Sequence, residues 1–259
     1  YHRDVLPILR QRCQACHQPA RREGGVDLAT LAGLTAEADS GQAAIVPGDP
    51  DASSLLVQVT PDADGTALMP QDGPPLSADE VALLRRWIAA GAPIDAGPTR
   101  ARPSADHPPQ YEHPPTISAV DASPGGQWLA VAGVGETLLL DAAAALRGEA
   151  VVARRLIGLA ERIESVRFSP DGTRLAVAGG DPGAMGEVQI WDVAAGELLV
   201  SHIATSDALR GASWSPDGRL VAFGGADSQL YAIDAATGER TLQQGAHTDW
   251  VLATAFSSD

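Results

Sequence analysis

Cys13 and Cys16 stand three positions apart in the pentad Cys13-Gln14-Ala15-Cys16-His17, and an imidazole follows the second thiol directly. This spacing is the attachment signature of a c-type haem. Each thiol adds to one vinyl group of the porphyrin to give a thioether, and His17 comes under the ring to bind the iron as proximal ligand. A zinc half-site needs about four ligands, and the chain has 2 Cys, both in the pentad. A redox dithiol is expected beside a βαβ pattern, which the flanking sequence lacks. The iron then needs a sixth ligand or an open position. Met69, in a Pro- and Gly-rich loop, is the leading candidate, and of the chain's 2 Met it alone lies in this half. A thioether ligand raises the reduction potential and, by closing the site, favours electron transfer over oxygen chemistry. The alternatives are a methionine that merely packs on the ring edge and His2 as the ligand.

These groups need elements to hold them. Val5, Leu6, Ile8 and Leu9 form an apolar face ahead of the pentad. Pro7 is tolerated only in a first helical turn, so a helix is expected from near Asp4 to about Arg12. Arg22-Glu23-Gly24-Gly25 breaks it, and residues 26–31 read neither way. Asp49-Pro50 suits an N-cap and first turn, opening a second helix that turns Leu55, Leu56 and Val59 inward. Ser77-Ala78-Asp79-Glu80 is a capping box. Behind it Val81, Leu84, Trp87 and Ile88 follow at helical spacing, and Gly91 and Pro93 end the helix. Three helices around one haem make a small all-α unit.

Further blocks carry a family resemblance. Tyr1, Val5, Pro7-Ile8-Leu9, the pentad, Gly24-Gly25-Val26-Asp27-Leu28 and Val46-Pro47-Gly48-Asp49-Pro50 occur in order. Ser54-Leu55-Leu56, Met69-Pro70, Pro75-Leu76-Ser77 and Leu84 to Ala92 complete the series. Together they resemble the planctomycete-type cytochrome c domain over nearly all of residues 1–95. Gln71 departs from the pattern, where the family often repeats Pro. The resemblance implies a cytochrome c fold with His17 and Met69 as axial ligands.

Residues 96–115 are dense in proline, which favours extended backbone and forbids helix, and they read as a linker. His107 and His113 within it read as solvated. From residue 116 the sequence repeats. Ser123-Pro124-Gly125-Gly126, Ser169-Pro170-Asp171-Gly172 and Ser215-Pro216-Asp217-Gly218 each precede an apolar run, and Ser257 begins a fourth copy. The serines are spaced by 46, 46 and 42 residues. A blade of a WD40 propeller repeats at about 40–45. Each four-residue run makes a tight turn. A later strand ends at Leu140-Asp141, Trp191-Asp192 or Ile233-Asp234, the slot of the Trp-Asp dipeptide. Gly245-Ala246-His247 with Asp249 adds the Gly-His and Asp elements. These words resemble WD40 repeats. Propellers close with about 4–8 blades, so residues 116–259 are expected to be a partial propeller of about three blades in a longer protein.

Composition bounds the function. The net charge is -15, with 33 acidic and 18 basic residues. Such a surface repels phosphate backbones and excludes nucleic acid. It favours a redox protein with a basic docking patch. The basic side chains are all Arg, and Lys and Asn are absent, as a GC-rich genome would produce. No apolar run approaches the ~20 residues of a membrane span. Covalent haem is normally attached outside the bacterial cytoplasm, so a periplasmic or otherwise extracytoplasmic location is expected, with a leader peptide missing from this chain. The expected protein is an N-terminal all-α cytochrome c domain carrying haem c, followed by an all-β WD40-type propeller that binds a protein partner. Its role is one-electron transfer rather than catalysis by itself. Two alternatives stand beside it. One is a propeller enzyme with a second cofactor, arranged as in haem d1 nitrite reductases, with His202 and His247 as the residues to watch. The other is a haem-based sensor with an exchangeable sixth ligand.

Overall fold

The computed structural model describes residues 1, 3–18, 21–29, 31–71, 73–94, 103–182, 184–245 and 247–258, with the backbone alone at 21 and 31. His2, the alternative ligand, lies outside the described residues. The chain forms two compact units, Tyr1–Arg102 and Pro103–Asp259. No helix among the described residues is long and apolar enough to cross a membrane.

The first unit opens with helix α1 (Leu6–Arg12), whose first turn holds Pro7 and whose inward residues Ile8 and Leu9 are buried. It starts two residues later than the sequence suggests, because Val5 makes no side-chain cap and is drawn into the core instead. A two-residue ladder follows, β1 (His17–Gln18) antiparallel to β2 (Arg21–Arg22). The undecided stretch after it ends in the single turn α2 (Leu31–Leu34).

The next helix, α3 (Ser54–Val59), begins at Ser54 and not at Asp49-Pro50. Asp49 does accept from backbone donors, Asp51 N–H at 3.2 Å and Ala52 N–H at 3.0 Å. The turn it makes is closed by Ser53, whose buried hydroxyl donates to the Asp49 carbonyl at 2.8 Å and accepts from Val46 N–H at 2.9 Å. Ser53 is therefore extended, and the helix restarts beyond it with Leu55, Leu56 and Val59 buried.

Helix α4 (Ala78–Ala89) carries the capping box as read, with Glu80 N–H donating to Ser77 Oγ and Ser77 N–H to Glu80 Oε2. Its Leu84, Trp87 and Ile88 join Leu9, Cys13, Leu28, Leu56 and Leu76 in one core, against which Met69 packs. Tyr1 lies tilted against Trp87, ring centres 5.4 Å apart. The helices are short and loops connect them, so the unit is less helical than the all-α expectation, and its strand pair was not foreseen.

The second unit is built of three four-stranded antiparallel meanders. The first comprises β3 (Ala119–Ala122), β4 (Trp128–Ala132), β5 (Thr137–Asp141) and β6 (Val152–Leu156), with the short helix α5 (Ala142–Leu146) between its last two strands. The second comprises β7 (Arg162–Phe168), β8 (Arg174–Asp181), β9 (Met185–Asp192) and β10 (Leu198–Thr205). The third comprises β11 (Leu209–Trp214), β12 (Leu220–Gly225), β13 (Gln229–Asp234) and β14 (Arg240–Gly245). Beyond it Val251 N–H donates to the Gly225 carbonyl and Thr254 N–H to the Gly211 carbonyl, along the edge of the third sheet.

Each repeated run does the same local work. The glycine N–H returns to the serine carbonyl at 2.8, 2.8 and 2.9 Å in the three copies. The serine hydroxyl accepts from Trp128, Arg174 or Leu220 N–H, each at 2.9 Å. The aspartate of the Trp-Asp slot caps the next turn: Asp141 accepts from Ala144 N–H, Asp192 from Ala195 N–H and Asp234 from Ala236 and Thr237 N–H. The second sheet has neighbours on both faces, and β8 and β9 are buried almost throughout, whereas β14 is exposed along its whole length.

The later part of the proline-rich stretch lies on the first sheet. Tyr111 Oη donates to the Val134 carbonyl and to Glu136. The buried Glu136 carboxylate also accepts from Arg155 Nη1 at 2.7 and 2.6 Å.

Candidate functional site

The pentad continues the coil of α1 without belonging to it. Cys13 and Gln14 N–H both return to the Leu9 carbonyl, at 3.0 and 2.9 Å, and His17 N–H returns to the Cys13 carbonyl at 3.1 Å. One further turn therefore places Cys13, Cys16 and His17 at the end of the helix. Cys13 points into the core and is buried; Cys16 and His17 are half-buried.

His17 is then pinned from three sides. Its carbonyl accepts from Leu28 N–H at 2.9 Å. Its strand residue faces Arg22 across the ladder. Its Nδ1 lies 3.1 Å from the Glu23 carbonyl. A carbonyl can only accept, so this contact is made by a proton on Nδ1, and a neutral ring so oriented is the tautomer that binds a metal through Nε2. Sequence reasoning treated Glu23-Gly24-Gly25 as a helix breaker and the two glycines as part of a family block, and gave them no role in orienting His17. Gly24 and Gly25 have φ of +62° and +74°, which turns the Glu23 carbonyl back toward the ring. A Cβ on Gly25 would come within 2.4 Å of the Asp39 carboxylate, so the turn admits no side chain there. The paired glycines were the available signal.

Burial drives the Cys13 thiol up to about 12, with the Arg12 charge only partly opposing it. A thiol so desolvated is a poor thiolate, which disfavours metal or redox chemistry through free sulfur. A thioether carries no charge and suffers no such penalty. Polar atoms beside the pentad also lack partners: Arg12 Nε, Gln14 Oε1 and Gln18 Oε1 are buried without a hydrogen bond. Gln14 is otherwise tied, its Nε2 donating to the Leu28 carbonyl at 2.8 Å. An uncharged attachment at the sulfurs, an imidazole oriented through Nδ1 and unsatisfied polar atoms beside them fit a covalently held haem.

Met69 is half-buried against the same apolar cluster that holds Cys13. Its N–H donates to the Gln58 carbonyl at 2.9 Å, which moors the loop to α3. Cys13 and Met69 thus share one apolar cluster. In the second unit His202 stands on β10 of the second sheet, and His247 lies in the loop after β14 of the third. The inner strands there line a cavity of about 460 Å³ with Ser118, Glu164, Arg167 and Arg210 on its walls. Glu164 is engaged by Arg162 at 3.0 Å and Arg210 at 3.1 Å, an arrangement structure alone accounts for. Among the described residues no group of three or more His, Cys, Asp and Glu is placed to hold a metal ion.

The Cys-X-X-Cys-His pentad thus sits in a small helix-and-loop unit, and antiparallel four-stranded repeats of propeller type follow it in the chain. Comparison with family models agrees: Planctomycete cytochrome C matches residues 13–73, and the WD domain, G-beta repeat matches residues 196–234. A search of curated proteins finds no match.

Proposed function

We propose that the chain is an extracytoplasmic electron-transfer protein, in which residues 1–95 carry a covalent haem and residues 116–259, after the linker 96–115, present a WD40-type scaffold to a protein partner. The observation that carries this reading is the pentad with its histidine held at Nδ1 by the Glu23 carbonyl. Cys13 and Cys16 would hold the thioethers, His17 the proximal position and Met69 the sixth. When bound, the haem supplies one-electron chemistry at its iron.

The chain's own residues do the rest. Glu23 and Leu28 fix the orientation of His17. The apolar cluster of Leu9, Leu76, Leu84 and Trp87 keeps water from the buried side of the site. The net charge of -15 steers a redox partner bearing a basic patch. Extracytoplasmic location is supported by the chemistry of attachment, which normally takes place outside the bacterial cytoplasm. Acid-acetone treatment of protein made in a host that matures c-type cytochromes tests the attachment. Haem that stays with the chain supports it, and haem that is extracted overturns it. A reduced spectrum that carbon monoxide leaves unchanged supports transfer, whereas ready binding of the gas supports sensing.

A further inference from the structure

We propose that Arg12 is the latch of the site: its guanidinium holds the loop after Met69 closed against the haem-bearing end of α1 and so sets how readily the sixth position opens. The proposal deepens the haem reading and rests on it. Arg12 is the last residue of α1 and directly precedes Cys13. Its Nη2 donates to two successive carbonyls, those of Pro74 and Pro75, the latter at 3.1 Å. Both belong to the loop between Met69 and α4, some sixty residues away in sequence.

That loop is anchored at its end by Leu76, which is buried in the core, but it has few hydrogen bonds. Pro74 and Pro75 bring no N–H of their own. Met69 N–H ties its start to α3, and the Ser77 capping box ties its end to α4. Among the described residues, the hydrogen bonds that reach positions 70–76 from another element are those of Arg12. Hydrogen bonds from an ionised donor are roughly twice as strong as neutral ones, and arginine stays charged at every working pH. Its Nε is buried with no acceptor, so the two carbonyls alone set the plane of the head group. Glu80 in the first turn of α4 also feels this charge. Burial pushes its carboxyl up, but the Ser77 hydrogen bonds and Arg12 together hold it below the usual carboxylate value. Arg12 therefore ties α1 to the loop that runs from Met69 to α4, and its charge reaches Glu80 at the start of α4. It touches none of the reacting atoms and is a positioning residue.

The test uses the full chain matured with haem, as wild type, Arg12→Met, Arg12→Lys and the control Arg85→Met. Arg85, on α4, makes an exposed ion pair with Asp51 in the same unit and no hydrogen bond to the loop among the described residues. Hydrogen exchange is followed in peptides covering 68–77 and 54–60, together with carbon monoxide association and the pH at which the methionine–iron band is lost. Arg12→Met should speed exchange in 68–77 and gas association about tenfold, the worth of one charged hydrogen bond. The band should disappear at lower pH, while 54–60 stays as in wild type. Arg12→Lys keeps the charge and should recover most of the difference, and Arg85→Met should change nothing. If Arg12→Met accumulates poorly, Arg12→Lys carries the comparison with a smaller shift. The latch is overturned if exchange in 68–77 and gas association match wild type, or if both peptides loosen equally and Lys restores neither. If the wild type loses its haem to acid acetone, covalent attachment falls, and loop exchange alone still decides the latch.

Discussion

Glu187 offers the sharpest check on how the second unit is held together. Its carboxylate is fully buried on β9. It accepts from Leu159 N–H at 3.0 Å, Ala160 N–H at 2.9 Å and Gln189 Nε2 at 2.6 Å, all on Oε2, and from Ser201 Oγ on Oε1. Gln189 Oε1 in turn accepts from Trp191 Nε1 at 2.8 Å. The carboxylate therefore ties the connection after the first sheet to two strands of the second. Two substitutions separate shape from bonding. Glu187→Gln can keep its oxygen toward Leu159, Ala160 and Gln189 and turn its NH2 toward Ser201, whose hydroxyl can accept. It loses charge assistance alone, about 1–2 kcal/mol. Glu187→Leu strands two buried backbone donors at about 1–3 kcal/mol each, so about 4 kcal/mol in all. For a unit of this size 1 kcal/mol moves the melting temperature by roughly 2–4 °C. The Leu variant should then melt about 8–16 °C lower and the Gln variant less than about half as far. Calorimetry of the full chain, reading the transition of the second unit, checks this. A Leu variant that melts within a degree or two of wild type, or a Gln variant that falls as far as Leu, would refute the argument.

Other consequences are as direct. Met69→Ala should leave the haem attached, lower the reduction potential, abolish the methionine–iron band and admit carbon monoxide, as absorption spectra and potentiometry will show. His17→Ala should also keep both thioether bonds but lose the low-spin spectrum, since attachment and ligation rest on different residues. Hydrogen bonds from Ser169 and Thr173 hold Asp171 at about 2, and Asp217 and Asp234 lie below the usual value through bonds from Ser215 and Arg219 and from Ala236 and Thr237. Their folded values lie below the unfolded one, so the stability they give is present above pH 4 and is lost as pH falls, for Asp171 toward about 2. Acid unfolding followed by circular dichroism should flatten in Asp171→Asn. A chain of residues 1–102 should mature with the parent's visible spectrum; a changed spectrum would mean that the second unit supplies part of the site.

Much of this was legible where local chemistry decides. The Ser77 box and the serine-led turns make their bonds within about five residues and were read from sequence, whereas the aspartates of the Trp-Asp slot were placed by sequence and their capping bonds by the structure. What escaped was set by partners far along the chain. Asp49 carries the right side chain for a cap, but Ser53, buried against Val46, decides where α3 begins. Helix α5, which the sequence reading did not anticipate, forms because Asp141 caps a run of alanines. In the site itself, residue types and spacing marked Cys13, Cys16, His17 and Met69. The groups that orient them, the Glu23 carbonyl and the Arg12 guanidinium, leave no motif. A backbone carbonyl has no residue code, and an arginine that reaches Pro74 and Pro75 looks in sequence like any other.

The confinement of both cysteines to the pentad has a practical consequence. With 2 Cys in the chain, every thiol is also a haem attachment point on the proposed reading. A thiol-alkylating reagent applied to the denatured protein therefore counts maturation chain by chain. A finished molecule takes no label, one attached at a single vinyl takes one, and an apo chain takes two. Intact mass would resolve the three populations in one measurement. Because Cys13 is buried and Cys16 half-exposed, labelling the folded apo chain first should tag Cys16 ahead of Cys13. The same reagent then reports, in order, which sulfur is presented to the attachment machinery and which must wait for the fold to open.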